Sequence, residues 1–445
     1  MKSVSLLLLF IVLSFCSAFA QFIPYEARRA VIFAEIGEDI ALIKNSGSDY
    51  VLKMEVNWNY YFLTGDQSDG AFLVLNGKNK TATIYKEALQ YSRQQAEAKE
   101  INGVNIKTMD EFQRDLGSSF SRMKTLWIDF SSMPDLNSSG LKLGNLESIK
   151  NLAPFIHRIR KYKDEYEMKM LEHAIQTTAE GLVEVMKSAK PGMNEKDFEL
   201  ILDYKFAKAG CENLGFGIQA ASGPNATHVH YGNNDRDTEK GDMMVFDVGA
   251  RSGFYSADIS RSFPVSGKFT KEQKEIYGLV LKAQKTAISN MTPGNTIGFA
   301  SNSALDVLNE GLAELGLITD LESSWQKRIW IQHGFFHHIG LVVHDVGGYS
   351  GILEPGMILT MEPGLYFPAD YLDQITKRQE RNVDVKELEA FIKAVKPTFE
   401  KYINIGVRIE DDVYITKDGN KVISSGVPKE IDDIEDLMKE SSIFQ

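Results

Sequence analysis

Four of the chain's eight histidines fall within twelve residues, at His333, His337, His338 and His344. They lie in Gln332-His333-Gly334-Phe335-Phe336-His337-His338-Ile339-Gly340-Leu341-Val342-Val343-His344-Asp345, and Met361-Glu362-Pro363-Gly364 follows after a further apolar run. Imidazole next to carboxylate in apolar surroundings suits a divalent transition metal. The same residues could be hydrogen-bonded core histidines, and this stretch alone does not decide. Two other stretches add acids. One is Met243-Met244-Val245-Phe246-Asp247-Val248, continued across a glycine turn by Tyr255-Ser256-Ala257-Asp258-Ile259; the other is Ile405-Gly406-Val407-Arg408-Ile409-Glu410. Each acid stands in a strand-like run of β-branched and aromatic residues, where burying a carboxylate is costly unless something positive meets it. Asp247, Asp258, Glu362 and Glu410, with His337 among them, therefore read as a cation site.

In this order the residues resemble the pita-bread metallopeptidases, specifically the aminopeptidase P and prolidase branch. The family's metal ligands run Asp, Asp, His, Glu, Glu, and fall here on Asp247, Asp258, His337, Glu362 and Glu410. Asp258 follows Asp247 by eleven residues, as in the family. His337 closes a His-Gly-x-x-His element, Glu362 opens Glu-Pro-Gly, and Glu410 lies in Arg-Ile-Glu-Asp-Asp. The resemblance implies an α/β (α+β) protein: an N-terminal α/β domain, then a C-terminal pita-bread (creatinase/aminopeptidase-like) catalytic domain. It implies two divalent ions, manganese first, with zinc or cobalt as alternatives. Asp247 would bind one, His337 and Glu362 the other, and Asp258 and Glu410 would bridge them. So oxygen-rich a donor set favours manganese or a similar ion over a thiolate-type zinc site.

The implied chemistry is hydrolysis of an Xaa-Pro bond by a metal-bridging hydroxide. Its catalytic residues would be Glu362, His230, His344 and Arg408. Glu362 would shuttle a proton to the leaving nitrogen. His344 would hold the substrate backbone, and His230 would donate to the developing oxyanion. Arg408 alternates with Glu410 along one strand, so both face one side, and it would orient an acidic ligand; a surface ion pair is the other reading for it. His333 and His338 read as supporting or packing residues, His228 as a histidine on the cleft rim, His157 and His173 as surface residues.

The elements that must position these groups divide into two domains. Residues 21–155 read as an α/β layer, with helices over 27–40, 86–99 and 110–120 and strands over 39–43, 60–65, 71–77 and 126–129. Asn57-Trp58-Asn59-Tyr60-Tyr61-Phe62-Leu63-Thr64-Gly65 resembles the N-terminal motif of the same branch, whose N-terminal domain covers the active-site mouth and supports oligomerisation. Residues 156–427 read as the catalytic domain. A helix over 164–187 is broken at Pro191-Gly192, and Asn194 caps a second over 195–209. Helices over 271–290 and 297–315, parted by Pro293-Gly294, repeat the unit, so two halves would wrap one sheet around a cleft. The charged stretch 367–402, helical from 383 to 401, reads as a solvated surface excursion. Residues 428–445 read as a solvated tail.

Residues 1–20 have a basic start, an apolar core and a small-x-small end at Ala18-Phe19-Ala20, the pattern of a signal peptide. The expectation is an exported chain, periplasmic or secreted, starting at Gln21 and not inserted in a membrane. The net charge of −12 argues against nucleic acid or an anionic membrane as partner. Cys211 then has no second cysteine and reads as a buried thiol. Sequons occur at Asn79, Asn137, Asn225 and Asn290, and a glycan on Asn225 would crowd the cleft. The expected partners are proline-containing peptides and a second copy of the chain, as a homodimer. Three functions follow: removal of the first residue from peptides with proline second, cleavage of Xaa-Pro dipeptides only, or non-catalytic peptide binding on the same fold.

Overall fold

The computed structural model describes residues 24–46, 56–87, 100–120, 123–132, 146–211, 213–378 and 383–444. The expected signal peptide, and all of the expected 86–99 helix beyond residue 87, lie outside them.

Helix α1 (Pro24–Ile36) leads into β1 (Ile40–Lys44), α2 (Trp58–Thr64), β2 (Phe72–Asn76) and β3 (Thr81–Lys86). β4 (Glu100–Ile101), β5 (Val104–Thr108), α3 (Met109–Phe120), β6 (Thr125–Ile128) and β7 (Ser148–Asn151) follow. Their seven strands form one mixed sheet in the order β4-β5-β3-β2-β1-β6-β7. Side chains alternate across it with period two. Leu42, Phe72 and Val74 face Phe112 and Leu116 of α3. Ala41, Ile43, Leu73 and Leu75 face the other way, into a core continuous with the rest of the chain.

The strand expected over 60–65 is helix α2. Its aromatic run favours a strand on propensity alone, but the caps decide otherwise. The Asn57 side chain accepts from the Asn59 and Tyr60 amides, and Gly65, at φ +70°, closes the last turn onto the Tyr61 carbonyl. A helix buried on nearly every side tolerates apolar residues all round.

Next come α4 (Ala153–Arg160), α5 (Glu165–Ser188) and α6 (Glu195–Lys208). Capping boxes start α5 at Asp164 with Glu167 and α6 at Asn194 with Asp197. β8 (Asn213–Leu214), β9 (Gln219–Ser222), β10 (Met243–Val248), β11 (Ala250–Ser252), β12 (Tyr255–Ser256) and β13 (Ile259–Pro264) complete the first half. The second half repeats the plan with α7 (Lys271–Asn290), α8 (Ile297–Glu314) and a short α9 (Ser324–Ile329). Its strands are β14 (Ile358–Met361) and β15 (Gly364–Tyr366), then, beyond α10 (Tyr371–Arg378) and α11 (Val385–Phe399), β16 (Gly406–Arg408), β17 (Asp411–Ile415) and β18 (Asn420–Val422). α12 (Ile431–Leu437) ends the described helices. β13-β10-β9 and β14-β17-β18 are the two central sheets. They are joined where the Glu410 amide donates to the Ser260 carbonyl and Ser262 bonds the Arg408 backbone.

Two expectations are corrected here. The 367–402 stretch is not a solvated excursion: Leu388, Phe391, Val395 and Phe399, at helical spacing, are buried. Phe391 meets the Trp325 ring at 4.9 Å, and Phe399 and Phe367 pack on Trp330. Nor is 428–445 a solvated tail. Ile434 is fully buried, and the Ser442 hydroxyl and Ile443 amide donate to the Glu184 carboxylate at 2.6 and 2.7 Å. Glu184 is itself buried, and a buried carboxylate needs such donors.

Candidate metal centre

The junction of the two central sheets gathers the acids singled out in the sequence. Asp247 lies in β10, opposite Gln219 of β9 and Ser260 of β13. Asp258 precedes β13, Glu362 follows β14, and Glu410 stands between β16 and β17. His337 comes from the segment before β14, its amide bonded to the Thr360 hydroxyl. Its Nε2 is 3.3 Å from Asp258 Oδ2, 3.5 Å from Glu362 Oε1 and 3.9 Å from Glu410 Oε1. Ligand atoms of Asp258, His337 and Glu410 all lie within 4.8 Å of one another. Asp247 and Glu362 line the same cavity of about 210 Å³, together with His230, His333, His344 and Arg408.

The electrostatics are those of a cation site with its ligands facing one another. Burial, then repulsion from Glu410, pushes the Asp258 carboxyl well up. Burial and the same neighbour push Glu362 up. Burial and Asp247 push Glu410 up to about 8. Burial, with His344 alongside, pulls His337 down to about 4, so its ring is neutral and able to ligate. Asp247 Oδ1, Asp258 Oδ1 and Glu410 Oε1 are buried without a hydrogen-bond partner among the described residues. Buried carboxylate oxygens left without donors fit a bound cation. Four carboxylates and one imidazole form a donor set for a hard or borderline divalent metal.

The surrounding groups are tied to this cluster. Arg408 is buried, not a surface ion pair. It donates to Asp247 Oδ2 at 2.5 Å, to Ser260 Oγ at 2.8 Å and to the Tyr366 hydroxyl at 2.9 Å. Ser260 Oγ donates to Glu410 Oε2 at 2.8 Å. His333 borders the site: its Nε2 is 2.8 Å from the Tyr366 hydroxyl and its Nδ1 3.7 Å from Glu362 Oε2. The His344 ring meets that of His337 at 4.3 Å. His338 is buried, its ring against Gly347, and it does not line the cavity. His228 is not among the cavity-lining residues. His157 is not a surface residue; it is half-buried on α4, its Nε2 3.3 Å from Asn59 of α2. His173 is exposed. Cys211 is buried. The Asn225 amide donates to Glu195 at 3.1 Å.

Sequence reasoning passed over Tyr366 and Ser260, which join Arg408, His333 and Glu410 into one network. The available signal was a tyrosine in an apolar strand, whose buried hydroxyl requires a partner.

Comparison with known proteins agrees with this geometry. Residues 169–417 match metallopeptidase family M24. The chain is 31% identical over 447 residues to an Xaa-Pro aminopeptidase of Haemophilus influenzae, covering 93% of this chain and 96% of that protein. It is 34% identical over 313 residues to an Xaa-Pro dipeptidase of Mus musculus, covering 64% and 62%. Among solved structures, an Escherichia coli aminopeptidase P in complex with substrate matches with a TM-score of 0.79 at 26% identity, covering 93% of this chain and 97% of that one. The expected architecture, an N-terminal domain ahead of a pita-bread catalytic domain, holds across that match.

Proposed function

Because the chain belongs to metallopeptidase family M24, we propose that it removes the first residue from peptides whose second residue is proline. The chain is a metallo-exopeptidase, a hydrolase with a site for divalent metal. The proposed substrate follows the Xaa-Pro aminopeptidase matched over nearly its whole length. The observation that carries the reading is the set of buried carboxylate oxygens without donors, on Asp247, Asp258 and Glu410 around a neutral His337. We assign Asp247, Asp258, His337, Glu362 and Glu410 as ligands of two divalent ions, manganese first, with zinc or cobalt as alternatives. Bound there, the ions supply Lewis acidity that makes water nucleophilic and polarises a carbonyl.

The protein's own groups do the rest. The Glu362 carboxylate takes up the proton released as water attacks the carbonyl and passes it to the leaving proline nitrogen. An amine leaves as the neutral molecule and not as its strongly basic anion, so the proline nitrogen departs only once protonated. Burial keeps the His344 imidazole neutral, and its N–H holds the substrate backbone. His230, which lines the same cavity, donates to the carbonyl oxygen as charge develops there. Arg408 fixes the Asp247 carboxylate.

Cleavage of Xaa-Pro dipeptides is the second reading, favoured by the match to the mouse dipeptidase. A metal-loaded preparation given an Xaa-Pro dipeptide and an Xaa-Pro-Yaa-Yaa peptide separates them. Release of the first residue from the longer peptide supports the aminopeptidase. Cleavage of the dipeptide alone makes the chain a dipeptidase, and cleavage of neither overturns both. Export with cleavage before Gln21, and assembly as a homodimer, are part of the proposal; N-terminal sequencing of the mature protein and light scattering test them.

A further inference from the structure

His344 sits on the segment 341–345, and each end of that segment is held by an arginine of the catalytic domain that itself contacts the N-terminal domain. At one end, Arg251 donates from Nη2 to the Leu341 carbonyl at 2.7 Å. The Arg251 guanidinium lies over the Trp58 ring, 5.0 Å from its centroid. At the other end, Asp345 is gripped by two buried cations. Arg160 bonds one carboxylate oxygen, and Lys163 reaches the other at 3.2 Å. The side chains of Arg160, Lys163 and Asp345 are 4%, 0% and 2% exposed, so this grip is shielded from solvent. Arg160 also donates to Asn59 Oδ1 at 2.7 Å. Asn59 in turn donates to Asp129 Oδ2 at 3.0 Å, and Asn57, the cap of α2, donates to the same oxygen at 2.9 Å. Asp129 follows β6 of the first sheet and is fully buried.

The segment is also closed sterically. The Asp345 amide donates to the His338 carbonyl at 2.8 Å. A Cβ at Gly340 would lie 2.0 Å from Asp345 Oδ2, and one at Gly347 would lie 2.2 Å from the His338 ring. Neither position has room for a side chain unless the segment moves. His344 is thus clamped between the ring of His337 and a chain of polar contacts that begins in another domain.

We propose that Asp129, Asn59, Arg160 and Asp345 form a positioning relay through which the N-terminal domain sets the place of His344 over the metal centre. These are positioning residues, since none of the four lines the site cavity. The inference rests on the reading of His344 as a substrate-holding residue. It gives the N-terminal domain, which contributes no proposed metal ligand, a part in turnover.

Asp345→Ala would leave two buried cations without a counter-charge and risks unfolding, so the test uses the neutral member, Asn59→Ala, with Asp129→Asn as a second variant. Two readouts are taken. First, the metal-free protein labelled at histidine is examined by NMR, the His344 ring being assigned by its loss in His344→Ala. Asn59→Ala is expected to shift or broaden the His344 ring resonances and leave those of His230 in place. Unmoved His344 resonances overturn the relay whatever the substrate proves to be. Second, kcat/KM on an Xaa-Pro peptide is measured for Asn59→Ala alone and in the His344→Ala background. A fall of about 10- to 100-fold is expected in the first and no further fall in the second, since the substitution acts through His344. The same factor in both backgrounds marks a purely structural effect and overturns the relay. If His344→Ala alone leaves kcat/KM intact, the assignment of His344 fails, and the relay's role in turnover falls with it.

Discussion

At the scale of residues, the centre is a cluster of like charges held close by the strands around it. Asp258 is pushed up by burial and then by Glu410, Asp247, Asp412 and Glu362. Without a cation that crowding opposes folding; with one it becomes the binding energy. Asp258→Asn keeps the shape and removes one repelling charge. Turnover is expected to fall about 10³-fold or more, of the order seen when a polar catalytic group is lost. The metal-free melting temperature at pH 8 is expected to rise by about 2–5 °C, and the increment on adding metal to shrink. A metal-free melting temperature well below that of the parent would show that the carboxylates are not in conflict. Glu362→Gln is expected to abolish turnover to a similar extent with the circular dichroism spectrum unchanged; retained activity would remove Glu362 from the chemistry. The four acids and the histidine were legible because a carboxylate in an apolar strand is conspicuous in one dimension. Tyr366 and Ser260 were not, because their partners lie across strands and no spacing along the chain announces them.

At the scale of elements, caps and packing partners decided what propensity could not. Helix α2 looked like a strand from its aromatic run, while the Asn57 and Gly65 caps that define it were equally present in the sequence. Helix α11 was legible as a helix, but the surface that receives it, Trp325 and Trp330, comes from elsewhere in the chain. Phe391→Ala is expected to cost about 3 kcal/mol in denaturant unfolding, whereas a solvated helix would lose less than about 0.5 kcal/mol. The first turn of α5 carries a pH-dependent term. Burial pushes Glu167 up to about 7 from its ordinary 4.5, against the pull of Arg28 and with the push of Asp164. Between those values the folded chain holds more protons than the unfolded one. This term therefore lowers stability as pH rises from 4.5 to about 7 and is flat above. Glu167→Gln is expected to flatten that part of the stability profile; an unchanged slope would mean that Glu167 is ionised throughout the range.

At the scale of the whole molecule, the two domains share one core. The inner face of the first sheet is continuous with the residues packed around α5 and β10. Arg28 of α1 is buried against Asp164 at 2.7 Å and Glu167 at 3.4 Å. Calorimetry of the metal-free chain is therefore expected to give one cooperative transition; two well-separated transitions would mean that the N-terminal domain folds by itself. The paired helix–turn–helix units made the two-half plan legible in the sequence. The shared core was not legible, since it joins residues more than a hundred positions apart. The central claim is that turnover belongs to metal held by Asp247, Asp258, His337, Glu362 and Glu410. Its most direct test is to strip the protein with chelator and titrate manganese back while following release of the first residue from an Xaa-Pro-Yaa-Yaa peptide. The account predicts no release from the stripped protein and a rise that saturates at two equivalents per chain. Release without metal, or two equivalents bound with no release, would contradict it.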